Sequence, residues 1–211
     1  MPWGRWICWR PFRDYCLRRW DGVPLKKLWI LCCLLLCLTA CGGEKSQPTQ
    51  KALDFRTGLM EAGGCSFTAV VTADYGEKVY SFTLDCSCTG DKTRLCVLEP
   101  ESIAGIAATV SGDGAVLEFD GAELEFGKLA NGFPSPVAAP WLLGQCWTGE
   151  YIAWAGPDGD LERITYLRGY DDEELTVDTW LDKNGVPVYA EAAQDGVRCL
   201  TVEIKDFRFE E

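Results

Sequence analysis

Between Val79 and Cys88 apolar and polar residues alternate without a break. Tyr80, Phe82, Leu84, Cys86 and Cys88 fall on one side, and Ser81, Thr83, Asp85 and Ser87 on the other. Successive side chains of an extended chain point to opposite faces, so this run predicts a strand with one buried face. The same period governs most of the chain around it. Cys65 to Tyr75 reads as the preceding strand, turning through Gly76-Glu77-Lys78. Thr93 to Glu99 follows the Thr89-Gly90-Asp91-Lys92 turn and is ended by Pro100. Short strands are predicted at Ile106 to Val110, Ala115 to Phe119 and Glu123 to Phe126, with glycine-rich turns between them. Beyond residue 148 the pattern resumes at Gly149 to Ala155, Leu161 to Tyr170, Leu175 to Leu181, Val186 to Ala193 and Val197 to Phe209. Asp182-Lys183-Asn184-Gly185 predicts a hairpin, its Asn-Gly pair suited to a type I′ turn. In the last strand Leu200, Val202 and Ile204 share one phase while Phe207 and Phe209 take the other, which predicts a bulge near Lys205-Asp206.

Two stretches depart from this period. Leu53, Phe55 or Arg56, Leu59 and Met60 recur near helical spacing, predicting a short helix from Lys51 to Glu61 stopped by Gly63-Gly64. Residues 127–148 are punctuated by Gly132, Pro134, Pro136 and Pro140, and a second helix is predicted around Ala138 to Cys146 after a mobile Pro-rich lead-in. The fold class is therefore mainly β (α+β): about eleven antiparallel strands in a curved half-barrel sheet, with short helices on the concave face.

Upstream of this domain lies a different pattern. Lys26-Lys27 precedes a charge-free, Leu-rich run from Leu28 to Leu38, followed by Leu38-Thr39-Ala40-Cys41. A cationic head, an apolar core of about 7–15 residues and small residues at the cut form the layout of a secretory signal peptide. The run is shorter than the roughly 20 apolar residues that span a bilayer. Cys41 after Leu-Thr-Ala resembles the lipobox of bacterial lipoproteins. That resemblance implies diacylglycerol on the Cys41 sulfur and cleavage before it. The expected organisation is a signal peptide at 1–40, a lipidated cysteine and polar tether at 41–52, and one β domain at 53–211. The Trp- and Arg-rich segment before Lys26 exceeds what a cationic head needs, and translation is expected to begin near Val23 or Leu25.

Charge narrows the partners. Seven of the 20 basic and two of the 32 acidic residues lie in 1–40, so the rest carries 13 basic against 30 acidic, a net charge of −17. Phosphate backbones and anionic headgroups repel such a surface. Nucleic acid is excluded as a partner, and membrane attachment is assigned to lipid and not to a basic patch. With no histidine in the chain, Ser-His and Cys-His nucleophiles are excluded. The acidic runs Asp158/Asp160 and Asp171 to Glu174 read as solvated turns. No enzyme activity, metal or cofactor is expected.

Six cysteines follow the anchor: Cys65, Cys86, Cys88, Cys96, Cys146 and Cys199. An exported chain allows disulfides, and six cysteines leave the pairing open. Cys86 and Cys88, two apart in a strand, share a side and are expected as small apolar core residues.

Three stretches carry a further likeness. One is the hairpin series leading to Pro100-Glu101-Ser102-Ile103-Ala104-Gly105 and the strands ending at Phe126. Another is Trp180-Leu181-Asp182-Lys183-Asn184-Gly185-Val186-Pro187-Val188-Tyr189-Ala190-Glu191. The last is Val202-Glu203-Ile204-Lys205-Asp206-Phe207-Arg208-Phe209. Together they resemble the LolA/LolB/LppX superfamily of lipoprotein carriers and lipid-binding lipoproteins, over roughly 53–209. The resemblance implies an eleven-stranded half-barrel with helices as a lid over an apolar cavity. It also implies an arginine that holds acylated cargo, for which Arg56 and Arg94 are the neighbouring candidates. An anchor at Cys41 fits the lipid-anchored relatives better than a diffusible carrier.

The function expected is binding of an apolar ligand (lipid, acyl chain or lipopeptide) in a cavity lined by Tyr80, Phe82, Leu84, Leu117, Phe119, Trp141 and Leu142. The alternative is a structural or regulatory envelope lipoprotein that meets a protein partner through exposed Trp141, Trp147, Trp154 and Trp180. Metabolic labelling with palmitate is expected to mark the wild-type chain and not Cys41→Ser, and the variant is expected to leave the membrane fraction.

Overall fold

The strand opened by Cys65 is the axis of the structure. In the computed structural model, which describes residues 47–130, 132–169 and 174–210, β1 (Gly64–Asp74) pairs on one side with β2 (Val79–Thr89) and on the other with the last strand, β13 (Val197–Phe209). From β2 the chain meanders outward through β3 (Lys92–Glu99), β4 (Ala107–Val110), β5 (Ala115–Phe119) and β6 (Ala122–Phe126). On the far side β9 (Tyr151–Asp158), β10 (Leu161–Arg168), β11 (Leu175–Leu181) and β12 (Pro187–Gln194) step inward to β13. The result is an open half-barrel of eleven strands in the order β6-β5-β4-β3-β2-β1-β13-β12-β11-β10-β9, with every neighbouring pair antiparallel. The eleven-stranded antiparallel reading of the sequence holds. The signal-peptide segment, Cys41 and most of the Asp171–Glu174 run lie outside the described residues.

Two helices, α1 (Gln47–Ala62) and α2 (Ala139–Thr148), cover the concave face. α1 begins four residues before the predicted Lys51, so the helix takes up residues assigned to the tether. Alternation does on β1 what the sequence implies: Cys65, Phe67, Ala69, Val71 and Ala73 are each at most 2 % exposed. Their register partners on β2 are Cys88, Cys86, Leu84, Phe82 and Tyr80, the predicted face. Under the helices Phe55, Phe67, Trp147, Phe207 and Phe209 form one aromatic cluster, with ring centroids 5.6 Å apart for Phe55–Trp147 and Phe67–Trp147 and 6.0 Å for Trp147–Phe207. Phe207 reaches it because β13 carries the predicted bulge: the register slips between Ser66↔Arg208 and Thr68↔Lys205, and Asp206 takes φ 54°.

Several local expectations are corrected. Leu129–Ala130 and Phe133–Pro134 pair as a small ribbon, β7 and β8, where only a mobile lead-in is expected; a 3-10 turn at Pro136–Ala138 then feeds α2. β9 runs on through Gly156-Pro157, because an edge strand tolerates a residue with no N–H to donate. The Asp182–Gly185 turn is not type I′. Asp182 Oδ1 accepts from the backbone N–H of Asn184 at 2.8 Å and of Val186 at 2.9 Å, and only Gly185, at φ 79°, is left-handed. Trp141 and Trp147 are buried, at 6 % and 0 % exposure, and not available to a partner.

The α2 helix ends against a charge from α1. Arg56 donates through Nε to Trp147 O at 2.9 Å and through Nη2 to Cys146 O at 3.1 Å and Glu150 O at 2.7 Å. The last carbonyls of a helix have no partners within it, and the guanidinium supplies them where the macrodipole favours a cation. Arg56, a candidate for contacting cargo, is thus committed to holding the two helices together, while Arg94 is exposed on β3. Arg56→Met is expected to destabilise the domain by about 2–3 kcal/mol in denaturant titration, since hydrogen bonds to a charged donor each contribute about 1.5–3. Arg56→Lys recovers less than half of that, because an ammonium lacks the planar fork.

Candidate functional site

The concave face is largely filled by its own side chains, and among the described residues an apolar hollow lies where side chains are missing. α1 closes with Gly63 at φ 76°, its N–H reaching Met60 O at 3.3 Å. Gly64 then starts β1 so close to β2 that a Cβ there would stand 2.3 Å from Cys88 O. On the other side the β2–β3 turn passes through Gly90 at φ 59°. Above them α2 presents Gly144, where a Cβ would meet Cys88 Sγ at 3.6 Å. Four glycines from separate elements therefore converge on one spot. They leave a groove of about 340 Å³ with Cys65 and Cys88 as floor, Leu59 and Met60 of α1 as one wall and Gly144 and Thr148 of α2 as the other.

No charged side chain lines this groove. The Thr148 hydroxyl is already satisfied by Gly144 O at 2.8 Å. The nearest charge is Glu210, whose carboxylate accepts from Ser87 at 3.0 Å and Thr89 at 3.3 Å and would lie 3.0 Å from a Cβ on Gly64. The lining therefore offers apolar contact and no cation, with one carboxylate at its border. A roomier hollow of about 470 Å³ lined by Ser81, Thr83, Leu98, Glu99, Pro100, Glu101 and Ala104 is polar, with Thr83 Oγ1 donating to Glu99 at 2.8 Å.

The two floor thiols differ. Cys65 and Cys88 are direct register partners. The Cys88 sulfur beside it raises Cys65 well above the ordinary thiol range, with burial adding to it. The same contact lowers Cys88 against its burial, helped by the Thr93 hydroxyl, which donates at 3.2 Å. Cys86 is raised by burial, and burial pushes Cys146 up to about 12. All six cysteines of the described residues are free thiols.

The seven residues expected to line a cavity do not gather around the groove. Leu84 is fully buried in the core beneath the helices, in register with Ala69. Phe82 and Leu117 are half-buried against that core. Tyr80 and Phe119 are exposed at 41 % and 58 %. Leu142 and Trp141 are buried on α2. Trp141 acts as a brace. Its Nε1 donates to Asp91 O at 2.9 Å, and its ring lies between Lys128 Nζ at 4.5 Å and Arg168 Cζ at 4.8 Å. Lys128 in turn donates to Ser111 O at 3.1 Å and Gly112 O at 2.6 Å. One indole thus joins turns of the β2–β5 arm to β10 across the open side of the sheet. The groove itself was signalled only by the Gly63-Gly64 pair and by a glycine inside a predicted helix.

No protein-family model matches this chain, and no curated protein is significantly similar to it. Among solved structures the chain is similar to a LolA superfamily protein from Nitrosomonas europaea, at 12 % identity over 78 % of this chain and 94 % of that one, with a TM-score of 0.42. It is also similar to the Mycobacterium tuberculosis lipoprotein LppX, at 13 % identity over 76 % and 93 % and a TM-score of 0.39. A third is the Pseudomonas aeruginosa MucA/MucB complex, at 14 % identity over 74 % and 56 % and a TM-score of 0.36. Likeness this slight does not speak for function, and the fold stands on the strand order above. Among the described residues no helix is long and apolar enough to cross a membrane, and no group of three or more acidic or thiol side chains is placed to hold a metal ion.

Gly144→Ala is expected to be tolerated and to stabilise the domain by about 0.5–1 kcal/mol in urea titration, since alanine is the better helix former and its methyl finds ordinary contact. Gly64→Ala is expected to destabilise it, because the Cβ collides with backbone.

Proposed function

We propose that this chain is an extracytoplasmic lipoprotein, anchored to the membrane through lipid on Cys41, that holds an uncharged apolar chain in the groove between α1, α2 and the Gly64 end of β1. In this reading 1–40 is removed as a signal peptide, a short tether follows Cys41, and the domain begins with α1. The observation that carries the reading is a groove with apolar walls, no charged side chain and a volume at the lower end of the roughly 300–1,000 Å³ of ligand sites. Its size suits one acyl tail or part of one, with the polar head left in water. Binding draws on burial of apolar area, about 25 cal/mol per Å², and needs no ion pair. The chain is a binding protein and not a catalyst in this reading.

A second reading, action through a protein partner, draws on edge strand β9, where Tyr151 and Trp154 are exposed at 70 % and 43 %.

Organic extraction of the natively purified protein followed by mass spectrometry is expected to yield a near-stoichiometric neutral lipid. After delipidation the chain is expected to bind neutral N-phenyl-1-naphthylamine more than tenfold tighter than an anionic fatty acid of similar length. Gly144→Leu fills the groove and abolishes dye binding, while Phe119→Ser leaves it unchanged. Empty extracts together with dye binding indifferent to Gly144→Leu would overturn the groove. Loss of a cross-linked membrane protein on Tyr151→Ser and Trp154→Ser would then favour the partner reading.

A further inference from the structure

The ligand reading uses Cys65 and Cys88 only as apolar floor, yet their placement is that of a reactive pair. They stand directly opposite each other on neighbouring antiparallel strands with their side chains on one face. Opposed residues of such a ladder have Cα atoms about 4.5–5.5 Å apart, inside the roughly 4.4–6.8 Å that a disulfide spans. The register alone thus brings the two residues into the range a disulfide bridges. Cys86, by contrast, faces Phe67 and Leu95, and has no thiol as register partner.

Access is the second condition. Both cysteines line the groove among Gly63, Gly64, Gly90 and Gly144, and with Cys88 7 % exposed and Cys65 0 % the sulfur that a small molecule reaches first is that of Cys88. Local donors separate the two roles. Thr93 Oγ1 donates to Cys88 Sγ at 3.2 Å, and Cys88 itself, when protonated, has Pro140 O at 3.8 Å. Negative charge on Cys88 is therefore met by the Thr93 hydroxyl, while among the described residues no hydroxyl donates to Cys65. A thiolate flanked by donors is the attacking group of thiol–disulfide exchange, and its protonated neighbour is the resolving one.

We propose that Cys65 and Cys88 form a redox-active dithiol that exchanges with low-molecular-weight disulfides entering the groove. Cys88 thiolate attacks one sulfur of the small disulfide, and the S–S bond breaks to release one small thiolate. That thiolate takes the Cys65 proton. The Cys65 sulfur then attacks Cys88, closes the cross-strand disulfide and expels the second small thiolate, which is protonated from water. Each turn oxidises one protein dithiol by two electrons and reduces one small disulfide to two thiols.

The test equilibrates the reduced full chain anaerobically in graded ratios of the small uncharged 2-hydroxyethyl disulfide to 2-mercaptoethanol, quenches with acid, and alkylates after unfolding. Peptide mapping is expected to show a Cys65–Cys88 linked peptide that grows with the ratio, while Cys86, Cys146 and Cys199 remain alkylated. Cys65→Ser is expected to accumulate the mercaptoethanol adduct on Cys88, and Cys88→Ser to leave Cys65 free of it. A wild-type chain that stays reduced at both residues in excess 2-hydroxyethyl disulfide, or that links either one to a different cysteine, overturns the proposal whether or not the variants fold. A small-disulfide site and an acyl site would part company in the same samples, since dye binding depends on Gly144 and exchange on the two sulfurs.

Discussion

The seating of α2 against α1 is the contact on which the rest of this structure depends. A ten-residue helix is too short to hold by itself, and this one is held by its buried side chains and by partners for its terminal carbonyls. They are met by one guanidinium from the other helix, which makes the seating of each helix depend on the other. Lys51 of α1 adds a second tie, 3.3 Å from the buried Glu162 of β10. Trp147, pinned from above by Arg56 through its carbonyl, donates from its indole to Thr179 Oγ1 at 3.0 Å in the core of the far arm. Helix, helix and sheet are thereby fixed through one residue's two ends.

This arrangement decides where a hollow survives. Helices drawn down by Arg56 press Phe55 and Trp147 onto Phe67 of β1 at the middle of the sheet, and Trp141 braces the β2–β5 arm against β10. What remains is the corner where four glycines meet. The groove is uncharged although the polypeptide beyond residue 40 is strongly acidic, because its walls are helix flank and strand floor while the carboxylates sit on turns and outward faces. Surface ion pairs such as Arg198–Glu191 at 2.8 Å contribute little to such a module. Burial and the helix lock carry it.

Much of the architecture was legible in the sequence for a reason visible in β1, β2 and β13. Strict alternation leaves little freedom of register, and a change of phase between Ile204 and Phe207 has no outlet but a bulge. Features that depend on a single side chain reaching elsewhere were not legible. Asp182 turned an apparent type I′ hairpin into another turn by capturing two backbone N–H groups. Pro157 looked like a strand end and is an edge residue. The ribbon at Leu129–Pro134 is too short to show a period. Burial of Trp141 and Trp147 follows from polar partners at Asp91 and Thr179 that no local pattern announces. The groove was hidden most completely, since it is made of absent side chains contributed by segments as far apart as Leu59 and Thr148.

The pairing of β1 with β13 has a temporal meaning. The strand at the middle of the sheet can find its second neighbour only after β13, the last strand of the sheet in chain order, has been made. Until then the first six strands hold an unzipped flank and a half-covered apolar surface, and contacts between segments so far apart in sequence form slowly. A polypeptide wired in this way stays pliable until its closing strand is laid down.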